Sequence, residues 1–262
     1  MYKRQFVFRD KTVTTFNDEI CCRHDTLLDI EGALPAKPFI ETLRKLTEEE
    51  IDVRLEGGEI KIKGNRRKAG LRMQQEIMLP CHAVEAPTKW TDTVPAFGEA
   101  LVLVAEAAAK EDDNVSLTCV NIAPEYVEAC DAFQGIRYSV DTGVRSSVLI
   151  KRSACQAMNG LGVAAIAETD AWLHFKTYTG LTISARKYSE EFPDISNIFT
   201  AKSTGSLTLP GSIVEALTKA LIFATESASG KQTIIRLKAV SYTHLTLPTK
   251  PMMCRSRWSP YH

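Results

Sequence analysis

The sequence predicts an α+β fold built from tandem copies of one domain, each carrying a helix, strands, a second helix and a hairpin. Two observations predict it. Amphipathic helical stretches and short alternating strands follow one another along the chain, the two periodicities that separate helix from half-buried strand. The same order of features also recurs at a spacing of about a hundred residues, too long for a solenoid repeat. Thr93 to Ile122 and Ser206 to Ala239 each read apolar–Pro, a helix containing Glu-Ala-Leu, a polar turn and a strand, with Pro95 and Pro210 in equivalent places. Asn17-Asp18-Glu19 and Cys130-Asp131-Ala132 share a second register, each following a strand and preceding a helix and a hairpin.

Taken in order, Phe8 to Ile20 reads as strand–turn–strand around Arg9-Asp10-Lys11. LPAKPFIETLRKL, Leu34 to Leu46, starts with Pro35 and Pro38, and proline is tolerated in a first helical turn. Its Phe39, Leu43 and Leu46 recur at helical spacing. IDVRLEGGEIKIK, Ile51 to Lys63, alternates on both sides of Gly57-Gly58, a pair suited to the positive φ angles of a two-residue hairpin turn. PCHAVEAPTKW, Pro80 to Trp90, reads as a linker. Val94 to Lys110 predicts a helix, Glu111 to Asn114 a turn, Val115 to Ile122 a strand, and Tyr126 to Val140 is extended. Val148 to Leu161 runs from strand into a short helix. VAAIAET, AWLHFKTYTG and LTISARK predict a three-strand meander turning at Thr179-Gly180, and EFPDISNIF, Glu191 to Phe199, closes the unit.

Charge and composition narrow the function classes. The 262 residues carry no net charge, yet MYKRQ and the segment from Val240 onward are purely basic. Phe6 to Ala239 has 27 basic and 32 acidic residues, a net of −5. The ends have a reason: Val240 to Thr249 and Cys254 to His262 back-translate in frame to a transposon-type sequencing adapter. MYKRQ, with GTG as a start codon, back-translates to the inverted transposon end. Residues 1–5 and about 240–262 are therefore expected to be adapter-derived, and Phe6 to Ala239 to be a natural segment cut at both ends; such residues are excluded from fold reasoning. No apolar run approaches the roughly 18 residues of a membrane helix, and no signal peptide opens the chain. The seven cysteines are scattered and never spaced as C-x-x-C, which indicates neither a disulfide framework nor a zinc site and fits a reducing, cytoplasmic setting.

At LPAKPFIETLRKL with its hairpin, EACDAFQGIRY and EFPDISNIF the chain resembles the sliding-clamp family, the beta subunit of bacterial or phage DNA polymerase III. These stretches are similar to that family's first-domain helix and hairpin, its Ala-Thr-Asp-Gly-His-Arg segment and its Phe-Pro-Asp-Tyr-Arg-Arg-Val stretch. The resemblance implies tandem DNA-clamp domains, each a helix pair packed on antiparallel sheet, in an incomplete three-domain clamp. Residues 6–88 would be a first domain lacking its opening helix, 89–200 a complete second, and 201–239 the start of a third, flanked by the adapter-derived 1–5 and 240–262. It implies a non-catalytic processivity factor that closes as a homodimer around duplex DNA and tethers the replicative DNA polymerase and the clamp loader through short peptide motifs. No cofactor, metal or membrane partner is implied.

A clamp holds DNA without reading it, so sequence-independent phosphate attraction is the useful term. DNA-facing candidates on the mid-domain helices are Lys37, Arg44, Lys45, Lys151 and Arg152. The partner-peptide pocket, carried over by motif, comprises Cys130, Ala132, Phe133, Gln134, Pro193, Asn197 and Ile198. The sequence departs from the family where Gly-His-Arg reads Ala132-Phe133-Gln134 and an arginine reads Asn197, which puts the partner motif in question. Two alternatives compete. One is a clamp-fold interaction scaffold that does not encircle DNA. The other is a cysteine-dependent enzyme using Cys22 with His24 or Cys81 with His82; adjacent strand residues face opposite ways, which argues against Cys81 with His82, and the sequence carries no phosphate loop or metal-ligand cluster.

Overall fold

The computed structural model describes residues 4–46, 50–64, 67–74, 76–77, 79–131, 133–200 and 208–225, with side chains only to 220 in the last segment. The chain divides into two compact units, Met1–Ala201 and Lys202–His262. The strand expected at the end of Ser206 to Ala239, and most of both adapter-like ends, lie outside the described residues.

The first unit opens with β1 (Gln5–Arg9) and β2 (Thr12–Phe16), paired antiparallel about a turn at Asp10 and Lys11, whose φ angles are 50° and 55°. β3 (Ile20–Asp25) and β4 (Gly32–Pro35) flank this pair. Gln5, which the sequence assigns to the adapter-like end, stands in register with Pro35 and is buried. α1 (Ala36–Lys45) follows Pro35 as expected. It turns Phe39 toward Phe6 and Phe8, with ring centroids 5.3 and 6.1 Å apart. That apolar stripe is what holds a ten-residue helix in place, since so short a helix is marginal alone.

The hairpin forms as read: β5 (Asp52–Glu56) and β6 (Glu59–Lys63) pair Leu55 with Ile60 and Val53 with Ile62. Gly57 and Gly58 adopt φ of 59° and 79°. β7 (Lys68–Arg72) completes this sheet of three and has no counterpart in the sequence reading. Its KAGLR alternates, with Ala69 and Leu71 half-buried opposite Ile62 and Ile60, but five residues with a central glycine and no β-branched side chain are a weak strand signal without the pairing to β6.

In the second half, β8 (Thr91–Asp92) precedes α2 (Ala96–Ala105). Two expectations are corrected. The helix stops at Ala105 rather than reaching Lys110, because Ala107 and Ala108 are buried in a turn where Ala109 N–H donates to the Leu117 carbonyl (2.9 Å). Val115 to Thr118 is a 3-10 turn rather than strand, capped by Asn114, whose side chain accepts from Ser116 N–H (3.1 Å). β9 (Cys119–Ile122), β10 (Tyr126–Cys130) and β11 (Gly135–Ser139) follow, then β12 (Val148–Lys151) leading into α3 (Arg152–Ala157). The meander appears as β13 (Val163–Glu168), β14 (Trp172–Thr177) and β15 (Thr182–Tyr188), with Gly180 at φ 86°. α4 (Ser196–Thr200) closes the unit. α2 and α3 pack as a pair on the sheet, burying Phe97, Leu101 and Val104 against Val120, Ile150, Leu173 and Phe175; Phe97 stacks on Phe175 at 6.4 Å.

One strand joins the two halves. β15 pairs with β14 along one edge, while its other edge is shared by β3 and the end of β12. The result is a continuous antiparallel sheet in the order β11-β10-β9-β12-β15-β3-β2-β1-β4. Trp172 sits at the junction, buried against Cys21, Val84 and Phe16. In the second unit α5 (Ile213–Thr225) is the described element, at the position of the expected helix.

Candidate functional site

The β10–β11 hairpin has two chemically different faces. Val127 and Ala129 point into the core below α2. The opposite face of the strands carries Asn121, Glu128 and Arg137, cross-strand neighbours in register. Glu128 is buried, and an unpaired carboxylate there would cost several kcal/mol. Its oxygens are met on both sides: Asn121 Nδ2 donates to Oε1 (2.9 Å), while Arg137 Nε and Nη2 approach Oε2 at 2.8 and 2.7 Å. Arg137 Nη2 also donates to Ser196 Oγ of α4 (3.2 Å). Its guanidinium lies 4.5 Å from the Tyr126 ring centroid and 4.9 Å from that of Phe199, within cation–π range.

The loop between these strands is shaped by Asp131. Its Oδ1 accepts from Phe133 N–H (2.7 Å) and Gln134 N–H (2.8 Å). Asn17 makes the same turn in the first half, its Oδ1 accepting from Glu19 N–H (3.3 Å) and Ile20 N–H (2.8 Å). The two copies thus match with Asn17 in the place of Asp131, one position from the register read in the sequence. Phe133 is left 83% exposed at the tip, and Gln134 Nε2 donates to the Glu106 carbonyl (3.4 Å).

α4 begins where Asp194 Oδ1 accepts from Ser196 N–H (2.9 Å), which holds the Asp194 carboxyl below its ordinary range. The helix then sits over the hairpin at Gly135: a Cβ there would lie 3.6 Å from Cys130 Cβ, 3.6 Å from Ile195 Cδ1 and 3.7 Å from Ile198 Cδ1. EACDAFQGIRY and EFPDISNIF, far apart in sequence, therefore meet. Cys130 is buried and Ile198 is 59% exposed at this meeting point, with Ile195 buried beneath. Pro193 is partly buried at the approach to α4, Asn197 is exposed, and Ala132 lies outside the described residues.

The basic candidates divide. Lys37, Arg44 and Lys45 are exposed on the face of α1 away from Phe39. Lys151 and Arg152 are engaged by their own surroundings. Lys151 Nζ donates to Thr118 Oγ1 (2.5 Å) and lies 5.1 Å from the Tyr188 ring. Arg152 pairs with Glu106 (2.9 Å) and donates to the Ala108 carbonyl, leaving its side chain 12% exposed. The open side of α2 presents Glu99, Leu103 and Glu106. Glu19, Lys110 and Ser153 complete a cleft of about 630 Å³ around Lys151 and Arg152.

The six thiols among the described residues are all shifted away from the thiolate form. Burial pushes Cys21 up to about 12 and Cys119 up to about 11, and raises Cys22, Cys81, Cys130 and Cys155 as well; reactive cysteines are lowered instead. The ring nitrogens of His24 face the carbonyl oxygens of Asp25 (2.5 Å) and Thr179 (3.3 Å), not the Cys22 thiol. Among the described residues no His, Cys, Asp and Glu cluster has metal-site geometry, and no helix is long and apolar enough to cross a membrane.

Sequence reasoning missed Asn121, Glu128, Arg137, Ser196 and Phe199. Two of them were within reach: a hairpin turning at 131–134 places 128 opposite 137, an opposite-charge cross-strand pair.

With the geometry described, comparison with known proteins identifies the class of fold. No family model and no curated protein matches the sequence. Solved structures do. A Helicobacter pylori beta clamp bound to a DNA ligase peptide superposes with a TM-score of 0.63 at 13% identity, covering 86% of this chain and 68% of that one. A Pseudomonas aeruginosa sliding clamp, DNA polymerase III subunit beta, bound to griselimycin gives 0.63 at 16% identity over 90% and 69%. Another P. aeruginosa DNA polymerase sliding clamp, with ligand, gives 0.58 at 16% identity over 74% and 59%. The chain has the sliding-clamp fold, and it spans 59% of the length of that last clamp.

Proposed function

We propose that the chain acts as a sliding clamp, a processivity factor that encircles duplex DNA as a homodimer and carries the replicative polymerase, the clamp loader and other partners by short peptide motifs. The observation that carries the reading is the meeting of Cys130, Gly135 and Ile198, which brings two separated motif segments together inside a clamp fold, with Ile198 exposed as a ledge over the buried Cys130 and Ile195. Two neighbours of the same fold hold a DNA ligase peptide and griselimycin, which supports peptide docking here. In this reading 6–88 and 89–200 are clamp domains and 201–239 begins a third, the site residues are those named for the pocket and for DNA, and the setting is cytoplasmic. No side chain takes a catalytic role.

One observation favours a second reading, an interaction scaffold that does not encircle DNA. Arg152 is already paired with Glu106, Lys151 is engaged by Thr118 and Tyr188, and α2 turns Glu99 outward, so the helix pair offers phosphates less positive charge than its two cations suggest. The discriminating measurement is retention of the protein, at its natural length, on a nicked circular plasmid against the same plasmid linearised. A clamp stays on circles and runs off linear ends. Equal loss from both would sink encirclement and leave the scaffold.

A further inference from the structure

Arg137 touches more than any other polar residue of the hairpin, and its contacts divide into an anchor and a reach. The anchor is Glu128, a buried carboxylate fixed in turn by Asn121. The reach is to α4: a hydrogen bond to Ser196 Oγ (3.2 Å) and a face against the Phe199 ring, with Tyr126 on the hairpin side. α4 is five residues long and none of its residues is buried, so its own packing holds it weakly. Ile195, just before it, is the apolar pin; Arg137 supplies the polar attachments that β11 makes to the helix itself.

We infer that Arg137 is a positioning residue for the docking ledge: tethered to Glu128, it holds α4 against β11 so that Ile198 stands over Gly135 and Cys130. This rests on the peptide-docking reading. A guanidinium suits the task because its planar fork serves Glu128 and Ser196 at once while its face lies on an aromatic ring, which a lysine ammonium does not do. Ligand affinity then depends on a side chain that lies behind the ledge.

The test uses the full chain, griselimycin as the probe, and amide exchange as a second readout. Arg137→Lys keeps a cation beside Glu128 but gives up the bridge. Its griselimycin affinity is expected to fall about tenfold. The amides of 196–200 are expected to exchange at least about tenfold faster while those of α2 and β14 keep their rates. Ser196→Ala leaves the Glu128–Arg137 pair whole and is expected to move both readouts the same way, by less. If Arg137→Lys also loosens α2 and β14, Ser196→Ala decides: unchanged affinity and exchange there overturn the role. Wild-type affinity with unchanged 196–200 exchange in Arg137→Lys overturns the positioning role alone. No binding by the unmodified chain overturns the docking reading, and with it the ledge that Arg137 would serve.

Discussion

His174 shows how far a residue's chemistry depends on what surrounds it. It lies fully buried in β14, with Nδ1 2.8 Å from Ser184 Oγ and Nε2 3.1 Å from Thr169 Oγ1. Burial, with Arg23 adding to it, lowers its pKa from 6.5 to about 4. The folded state therefore binds fewer protons than the unfolded one between about pH 4 and 6.5, and stability rises with pH across that window. The urea midpoint should be highest above pH 6.5 and fall as the pH drops toward 4. In His174→Gln that fall should shrink; an unchanged pH profile in the variant would exclude His174 as its source. In the sequence His174 is one polar letter in AWLHFKTYTG, and nothing there separates an exposed position from the centre of a sheet. Glu128 and Arg137 are a partial contrast. Their pairing follows from hairpin register, but the third member, Ser196, is 59 positions from Arg137, and no local pattern joins them.

Among the elements, α2 displays the rule that periodicity finds a helix but packing sets its end. Val94 to Lys110 is rich in alanine, and Glu106 to Lys110 are all good helix formers, yet the helix closes at Ala105 because Ala107 and Ala108 enter the core as a turn. Leu101 and Leu103 are two positions apart on this helix with opposite fates, one fully buried and the other 52% exposed. Leu101→Ala should cost about 2–5 kcal/mol through lost burial and the cavity left. Leu103→Ala should stay within about 0.5 kcal/mol. Urea unfolding of both variants measures this, and equal losses would contradict the assigned face. The β5–β6 hairpin was fully legible because its information is local: alternation on two strands and two glycines free to take positive φ. β7 was not, since its pairing with β6 is what makes KAGLR a strand.

At the scale of the whole first unit, the decisive feature is that β15 accepts β3 on its outer edge, joining β1–β4 and β9–β12 in one sheet. Charge follows the same division. The free cations of the expected DNA-facing set are on α1, whereas those at the start of α3 are held locally. Under the proposed clamp function, replacing Lys37, Arg44 and Lys45 together by Ala should flatten the salt dependence of DNA binding, by about 0.9 in the log–log slope for each phosphate contact removed. Lys151→Ala should change that slope little, since its ammonium already serves Thr118 and Tyr188. A slope unchanged by the triple replacement would remove α1 from the DNA-facing surface.

The sequence by itself determined the α+β class, the order of most helices and strands, and the β5–β6 hairpin with its glycine turn. Each of these rests on short-range pattern: periodicities of 2 and 3.6, prolines before helices, and glycines in turns. Only the tertiary structure decided that the two motif segments meet at Gly135, that β3 and β15 join in one sheet, and that Arg137 reaches Ser196 of α4 from its pair with Glu128. The physical reason is that a cation's role depends on the carboxylates and rings brought to it by folding, as Arg152 with Glu106 and Arg137 with Glu128 show. Those partners are distant along the chain and adjacent only in space.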